Sequence, residues 1–337
     1  MFQHISIAIS LLAALMILAG VGACARPYVH PEGDARALPA LYETHAVMDD
    51  GYRLPLQRWS AGGACRAQLL ALHGLNDYHQ AFAGLGAFMA ARSVTVVAYD
   101  QRGFGDTAGF GLWHGRARLV SDLRLMVTLM KAARPDCPLY VLGESMGGAV
   151  ALVGLDSIAS EIAGVVLVAP AVWSRDSMPF YQRMALWLAV HTMPGRRLTG
   201  EGLDIRPSDN MEMLRALGRD SKVIKATRVD VLYGVSNLMD QAAQASPAED
   251  TKVLFLYGMH DDIIPREPTC RMLVKVKKAA PPWQVVVYEN GYHMLTRDRQ
   301  AERVLSDIHQ WLVAGKSEYD DLENVLTSFC MADSTAS

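Results

Sequence analysis

The chain is predicted to be an α/β protein: a mostly parallel central sheet, helices on both faces, and one helical insertion. Three observations predict this. Continuous apolar runs of strand length alternate with segments of helical periodicity, as expected for strands buried on both faces. The stretch Val141 to Ala149, VLGESMGGA, joins one such strand to one such helix through a glycine-flanked serine. From Pro170 to about Ala245 the alternation stops, and it resumes at Lys252.

Residues 1–23 carry no charged side chain, and Ile5 to Val21 form an apolar run of signal-segment length ending in small residues. Its end, Val21-Gly22-Ala23-Cys24, resembles the lipobox of bacterial lipoproteins, which implies lipidation of Cys24. The alternatives are an uncleaved membrane anchor, or a cleaved secretory peptide with Cys24 incidental. Each places the folded part outside the cytoplasm, and the first places it in the cell envelope. Residues 24–41, with Pro27, Pro31 and Pro39, are expected to form an extended tether.

The core is expected in two parts, 42–170 and 246–315, around an insertion over 171–245. Asp49-Asp50-Gly51 lies between Thr44–Met48 and Tyr52–Trp59, predicting an opening antiparallel hairpin. There follow a strand over Ala67–Leu72, a helix over Ala81–Ala91, a strand over Val94–Tyr99 and a helix over Arg116–Ala133. In the last, Leu119, Leu123, Met126 and Met130 recur at helical spacing. Leu139–Leu142, Met146–Ile158 and Ala163–Ala169 continue the alternation. After the insertion come Lys252–Tyr257, Glu267–Lys278, Gln284–Tyr288 and Arg297–Ala314. The acidic tail, 316–337, shows no clear core pattern and is expected at the surface.

A chain of 337 residues, 51% hydrophobic and 20% charged, can bury a sizeable core. The net charge of -3, without a basic cluster, gives no electrostatic case for nucleic acid or for strong attraction to anionic membranes. The five cysteines have neither C-x-x-C nor metal-ligand spacing, which argues against structural zinc. Disulfides among Cys65, Cys137, Cys270 and Cys330 are permitted, with the pairing open. No metal and no organic cofactor is implied.

Ser145 sits at the strand-to-helix turn, where Gly143 and Gly147 leave room for a sharp bend. At such a turn the hydroxyl points out of the sheet, and the Met146 N–H, at the start of the helix, is free to face an oxyanion. A serine nucleophile needs a base, and the base needs an acid to hold one tautomer. The loop after Lys252–Tyr257 offers Asp261 or Asp262, and the loop after Gln284–Tyr288 offers His293. Both leave the sheet edge that carries Ser145, in the order Ser, Asp, His expected of an α/β-hydrolase.

On these residues the chain from about 42 to 314 resembles the α/β-hydrolase family that includes monoacylglycerol lipases, bacterial lysophospholipases and the serine aminopeptidase group. The family's G-x-x-D-x-[IV]-[IV]-P pattern is matched by Gly258, Asp261, Ile263, Ile264 and Pro265, which implies Asp261 as the acid. Its G-x-H is matched by Gly291 and His293. Its H-G-x loop is matched by His73-Gly74-Leu75, implying the Leu75 N–H as second oxyanion donor and His73 as a residue that orients the loop. Asp100-Gln101-Arg102-Gly103-Phe104-Gly105 resembles the D-x-R-G-x-G loop beneath the site.

In the insertion, Phe180, Met184, Trp187 and Leu188 share a helical stripe with Arg183 off it. The stripe reads as core packing, as an acyl pocket, or as a face that dips into a membrane. A free-amine substrate would need an acidic pair, for which Glu201, Asp204, Asp209, Glu212 and Asp220 are candidates. The expected activity is hydrolysis of lipid carboxylic esters, monoacylglycerol or lysophospholipid, through a Ser145–His293–Asp261 triad by a membrane-anchored enzyme. The alternatives are a serine aminopeptidase of the same fold, an acyltransferase if an alcohol replaces water, and a non-enzymatic lipid-binding envelope lipoprotein.

Overall fold

Along each central strand, alternate residues serve opposite faces of one sheet. In β4 (Ala67–Leu72), Leu70 and Leu72 join the core on one side, and Leu69 and Ala71 join the other. In β10 (Val253–Gly258), Phe255 and Tyr257 face the first core, and Leu254 and Leu256 the second. Burial on both faces explains why these runs are apolar throughout. The computed structural model describes residues 25–34, 36–245, 251–277, 283–314 and 322–330.

The nine-stranded sheet has the order β1 (Ala40–Leu41), β2 (His45–Val47), β3 (Arg53–Trp59), β5 (Val94–Tyr99), β4, β6 (Leu139–Glu144), β7 (Gly164–Val168), β10, β11 (Trp283–Tyr288). The first three pair antiparallel, as does β3 with β5, and all later pairs are parallel. This is the α/β class the sequence predicts. Helices α1 (Ala83–Ala90) and α8 (Ala301–Ala314) cover one face through Leu85, Met89, Ile308 and Trp311. Helices α2 (Arg116–Ala133), α3 (Met146–Ile158) and α7 (Arg266–Lys277) cover the other.

Between β7 and β10 the chain forms α4 (Phe180–Thr192), β8 (Arg197–Thr199), α5 (Met211–Arg219), β9 (Ala226–Arg228) and α6 (Val229–Ala242). Strands β8 and β9 pair antiparallel, apart from the main sheet. The sequence reads this region as helical and irregular. Three-residue strands, with every residue of β8 exposed, carry no apolar alternation to reveal them.

Three expectations need correction. Helix α8 begins at Ala301 rather than Arg297, because the Arg297 and Asp298 side chains are drawn into contacts described below. The described part of the segment before Tyr42 is held to the core at several points. His30 N–H donates to Trp113 O, Gly33 N–H to Asp50 Oδ2 and Ala37 N–H to Asp49 O, and Ala40–Leu41 enters the sheet. The tail is not a solvated extension over Leu322–Cys330. Leu322, Val325, Leu326 and Phe329, spaced three and four apart, are buried against the core. Cys330 is bonded to Cys270 on α7, and a second disulfide joins Cys65 to Cys137. Residues 1–24, including Cys24, and the rest of the tail lie outside the described residues.

Phe329 packs against Tyr257, with ring centroids 5.3 Å apart, and its carbonyl accepts from Arg266. Phe329→Ala is expected to destabilise the fold by about 3 kcal/mol, read as a lower midpoint in equilibrium urea unfolding.

Candidate active site

The site begins with the backbone at Ser145. Its φ of 53° is unusual for a residue with a side chain. Ser145 N–H donates to Val168 O of the neighbouring strand, and its carbonyl accepts from Ala149 in α3 and from Ala171 after β7. The bend is possible because a Cβ at residue 147 would stand 2.2 Å from Leu72 O, and one at residue 143 would stand 2.5 Å from Gly147 O. Glycine is required at both positions. The His73–Gly74 turn, at the end of β4, then runs against the nucleophile, with the site of a Gly74 Cβ 3.2 Å from Ser145 Cβ. Leu75 and Met146 flank the serine from these two sides, and the Met146 N–H, at the start of α3, has no helical acceptor.

Gly258 and Gly291 bring the next two loops together. A Cβ at residue 258 would meet the Gly291 backbone at 2.5 Å, and His260 N–H donates to Gly291 O at 2.8 Å. Across this contact His293 Nδ1 donates to Asp261 Oδ2 at 2.8 Å. Asp261 Oδ1 accepts from the Ile263 and Ile264 N–H groups, both at 2.9 Å, so both carboxylate oxygens are engaged. Asp262 is exposed and accepts instead from Arg206 N–H in the insertion. Of the two acidic candidates, Asp261 is the one paired with the histidine. Burial pushes the His293 pKa down, but the Asp261 charge and hydrogen bond outweigh it. Glu144 adds to the rise, Arg297 opposes it, and the net shift is upward.

His73 is fully buried and both ring nitrogens are occupied, Nδ1 toward Gly74 O at 2.8 Å and Nε2 by the Gln101 N–H at 3.0 Å. It fixes the loop rather than receiving a proton from substrate. Arg102, also buried, is held bidentately by Asp50 and by Asp122, bracing the turn beneath the site.

Sequence reasoning missed a charged junction. Arg297 Nη2 donates to Glu144 Oε1 at 2.8 Å and Nη1 to Asp77 Oδ2 at 2.7 Å, while Thr296 Oγ1 donates to Glu144 Oε2 at 2.8 Å. Glu144 precedes the serine, Asp77 lies in the Gly74–Leu75 loop, and Thr296 and Arg297 follow His293. One guanidinium therefore joins three loops that meet at the serine. Reading each segment separately gives no signal for it, since Glu144 reads as a strand end, Asp77 as a charged loop residue and Arg297 as the start of a helix.

The insertion is latched to the same loops. Asn76 Nδ2 donates to Thr227 Oγ1 at 2.7 Å, Met294 N–H to Pro207 O at 3.0 Å, and Ser208 Oγ to Asp298 Oδ1 at 2.5 Å. Phe180, Met184, Trp187 and Leu188 lie on the exposed side of α4, whose one buried residue is Val190. Phe180, Met184 and Trp187 border an outward-facing cavity of about 210 Å³ shared with Arg175, Arg183 and Tyr233, and Leu188 lies outside it. The stripe is thus neither buried in the core nor an enclosed pocket at Ser145.

Sheet order, helices on both faces, a serine at the strand-to-helix elbow and an insertion after the next strand define an α/β-hydrolase. Residues 63–300 match the sequence profile described as serine aminopeptidase, S33, and the chain belongs to that family. It is 26% identical over 280 residues to a monoacylglycerol lipase of Mycolicibacterium smegmatis, covering 78% of this chain and 94% of that protein. It is 22% identical over 299 residues to the monoglyceride lipase of Homo sapiens, covering 84% and 94%. Among solved structures, a monoglyceride lipase from Saccharomyces cerevisiae in complex with a substrate analog superposes with a TM-score of 0.69 at 19% identity, covering 86% of this chain and 100% of that one. The monoacylglycerol lipase of Paleococcus ferrophilus gives 0.66 at 21% identity, covering 78% and 99%.

Two outcomes follow from the charged junction. Arg297→Met leaves Glu144 and Asp77 buried without a countercharge, and unfolding by denaturant is expected to show a loss of about 3–5 kcal/mol. In an NMR pH titration His293 is expected to titrate above the ordinary histidine value. Glu144→Gln removes a carboxylate that favours the imidazolium, so the midpoint should move to lower pH.

Proposed function

We propose that the protein is a serine hydrolase that cleaves carboxylic esters of lipids, with monoacylglycerol the substrate class favoured over lysophospholipid. The observation that carries the reading is the 2.8 Å His293–Asp261 bond, formed between loops at the sheet edge where the elbow presents Ser145. Because Nδ1 is committed to Asp261, Nε2 is the nitrogen left to take the Ser145 proton as Oγ attacks the ester carbonyl. The Leu75 and Met146 N–H groups receive the oxyanion. The imidazolium then protonates the leaving alcohol, and the acyl-enzyme is hydrolysed by water activated at the same nitrogen.

The names of the relatives, monoacylglycerol and monoglyceride lipase, support the glycerol ester. The peptidase reading draws support from the name of the family. Against it, the acidic candidates for holding an amine are already used or dispersed. Asp220 accepts from Tyr78 OH and Asp209 from Arg299 N–H, while Glu201, Asp204 and Glu212 are exposed. We further propose that the chain is exported and anchored by lipid at Cys24. The other four cysteines pair with one another, which leaves Cys24 unclaimed and fits an oxidising compartment.

The test offers monoacylglycerol, lysophospholipid and an aminoacyl amide to the purified protein and its variants. Ser145→Ala is expected to abolish fatty acid release while remaining folded. Asp261→Asn should lose about 10⁴-fold in kcat, and Asp262→Asn less than about tenfold. Cleavage of the amide alone would establish the peptidase, and full activity in Ser145→Ala would overturn the mechanism.

A further inference from the structure

The acid loop, Gly258 to Pro265, runs from β10 to α7, and one aromatic side chain from late in the chain meets it at both ends. At the entry, the Phe329 ring packs on the ring of Tyr257 with centroids 5.3 Å apart. At the exit, the Arg266 guanidinium lies over the same ring, 4.9 Å from its centroid, and donates to the Phe329 carbonyl. Cys330, the next residue, is bonded to Cys270, one helical turn beyond Arg266. The clip is therefore covalently closed. It also lies past residue 300, where the match to the family ends.

Tyr257 carries the contact inward. It is buried, and its hydroxyl donates to the Ile264 carbonyl at 2.8 Å, across the loop that Tyr257 precedes. Burial raises the phenol pKa well above its ordinary value, and the Asp261 and Asp262 charges add to the rise, so the hydroxyl stays protonated as a donor. On its other side the Ile264 residue faces the acid. Its N–H donates to Asp261 Oδ1 at 2.9 Å, beside that of Ile263, while Oδ2 receives His293. Ile264 is thus held through its carbonyl and holds Asp261 through its amide. A carboxylate can orient its histidine only as well as its own donors are placed.

We propose that Tyr257 and Phe329 are positioning residues for the catalytic acid, on the Ser145–His293–Asp261 reading given above. The Phe329 ring, fixed by Arg266 and by the bond of Cys330 to Cys270, sets the Tyr257 hydroxyl. That hydroxyl sets the Ile264 backbone and with it the Asp261 carboxylate. Both aromatic side chains lie in the core, so they act through Asp261 rather than on the substrate. A clip that served stability alone would have no effect on the acid or the base.

The test compares the wild type with Tyr257→Phe, Phe329→Leu, their combination, and Cys270→Ala joined to Cys330→Ala. Each is measured in monoacylglycerol hydrolysis, in an NMR pH titration of His293 and in urea unfolding. Tyr257→Phe decides the matter, because it keeps the ring and removes only the hydroxyl. Its kcat is expected to fall about tenfold with KM within about twofold of wild type, since a misplaced catalytic group costs rate rather than binding. Asp261 and Glu144 raise the His293 midpoint and Arg297 lowers it, and only the Asp261 contribution depends on the clip, so the midpoint should move to lower pH. Phe329→Leu and the cysteine pair should move both readouts the same way. Added to Tyr257→Phe, Phe329→Leu should cost less than about twofold more in kcat, because the two side chains act in series. Unchanged kcat and an unchanged His293 midpoint in Tyr257→Phe would overturn the inference, whatever happens to the urea midpoint. A shifted His293 midpoint in a protein whose wild type releases no fatty acid would overturn the lipid-ester reading and leave the positioning in place.

Discussion

A carbonyl oxygen, that of Leu72, occupies the space a side chain at residue 147 would need, and the geometry of the site depends on that contact. It presses the first turn of α3 against the end of β4, forces Ser145 to φ 53°, and brings the Gly74 turn against the serine. A backbone conformation of this kind costs on the order of 1–3 kcal/mol and persists only where its surroundings over-determine it. Here they do. Bonds from Ser145 to Val168, Ala149 and Ala171 tie the elbow to the next strand, to its own helix and to the start of the insertion.

The sheet aligns strand ends, but it does not set the positions of the loops that leave them. That is done by pairs of close backbone approaches and by one guanidinium. Gly258 lets the Asp261 loop touch the His293 loop, and Arg297 joins the latter to Glu144 and Asp77. Buried charges such as these do not stabilise the fold by as much as an apolar core of equal volume would. What they provide is a single relative placement of three loops. The same Glu144 carboxylate also biases the protonation of His293, so the groups that position the histidine help to set its basicity.

Features encoded within one segment were legible in the sequence. β4 and β5 occupy the same residues in the sequence reading and in the structure, because continuous apolar runs of six residues between turn signals have few alternatives. The two acid and base loops are legible as the segments that follow two late strands, and the family resemblance, through its glycine-spaced patterns, implies Asp261 and His293 within them. Features encoded between segments were not. Arg297 reads as the first residue of a helix until Glu144 and Asp77, far away in sequence, are placed beside it. Leu322, Val325, Leu326 and Phe329 do form a helical stripe, but the surrounding acidic residues hid it, and the bond of Cys330 to Cys270 cannot be inferred from spacing. The segment before β1 reads as an extended tether because its hydrogen bonds are made to backbone and side chains of the core, which leave no periodic trace.

The disulfide pattern bears on how the chain reaches this state. Four cysteines can pair in three ways. The observed bridges span separations of 72 and 60 residues, and every other pairing would close two loops longer than either. Loop-closure entropy therefore favours the native arrangement even before the core has formed. The two loops neither overlap nor nest, so each half of the molecule can oxidise independently, in whichever order its cysteines become available. Scrambled isomers would need to link the first half to the second across the insertion. The covalent topology thus steers against kinetic traps, and each bridge, once closed, restricts only its own half of the chain.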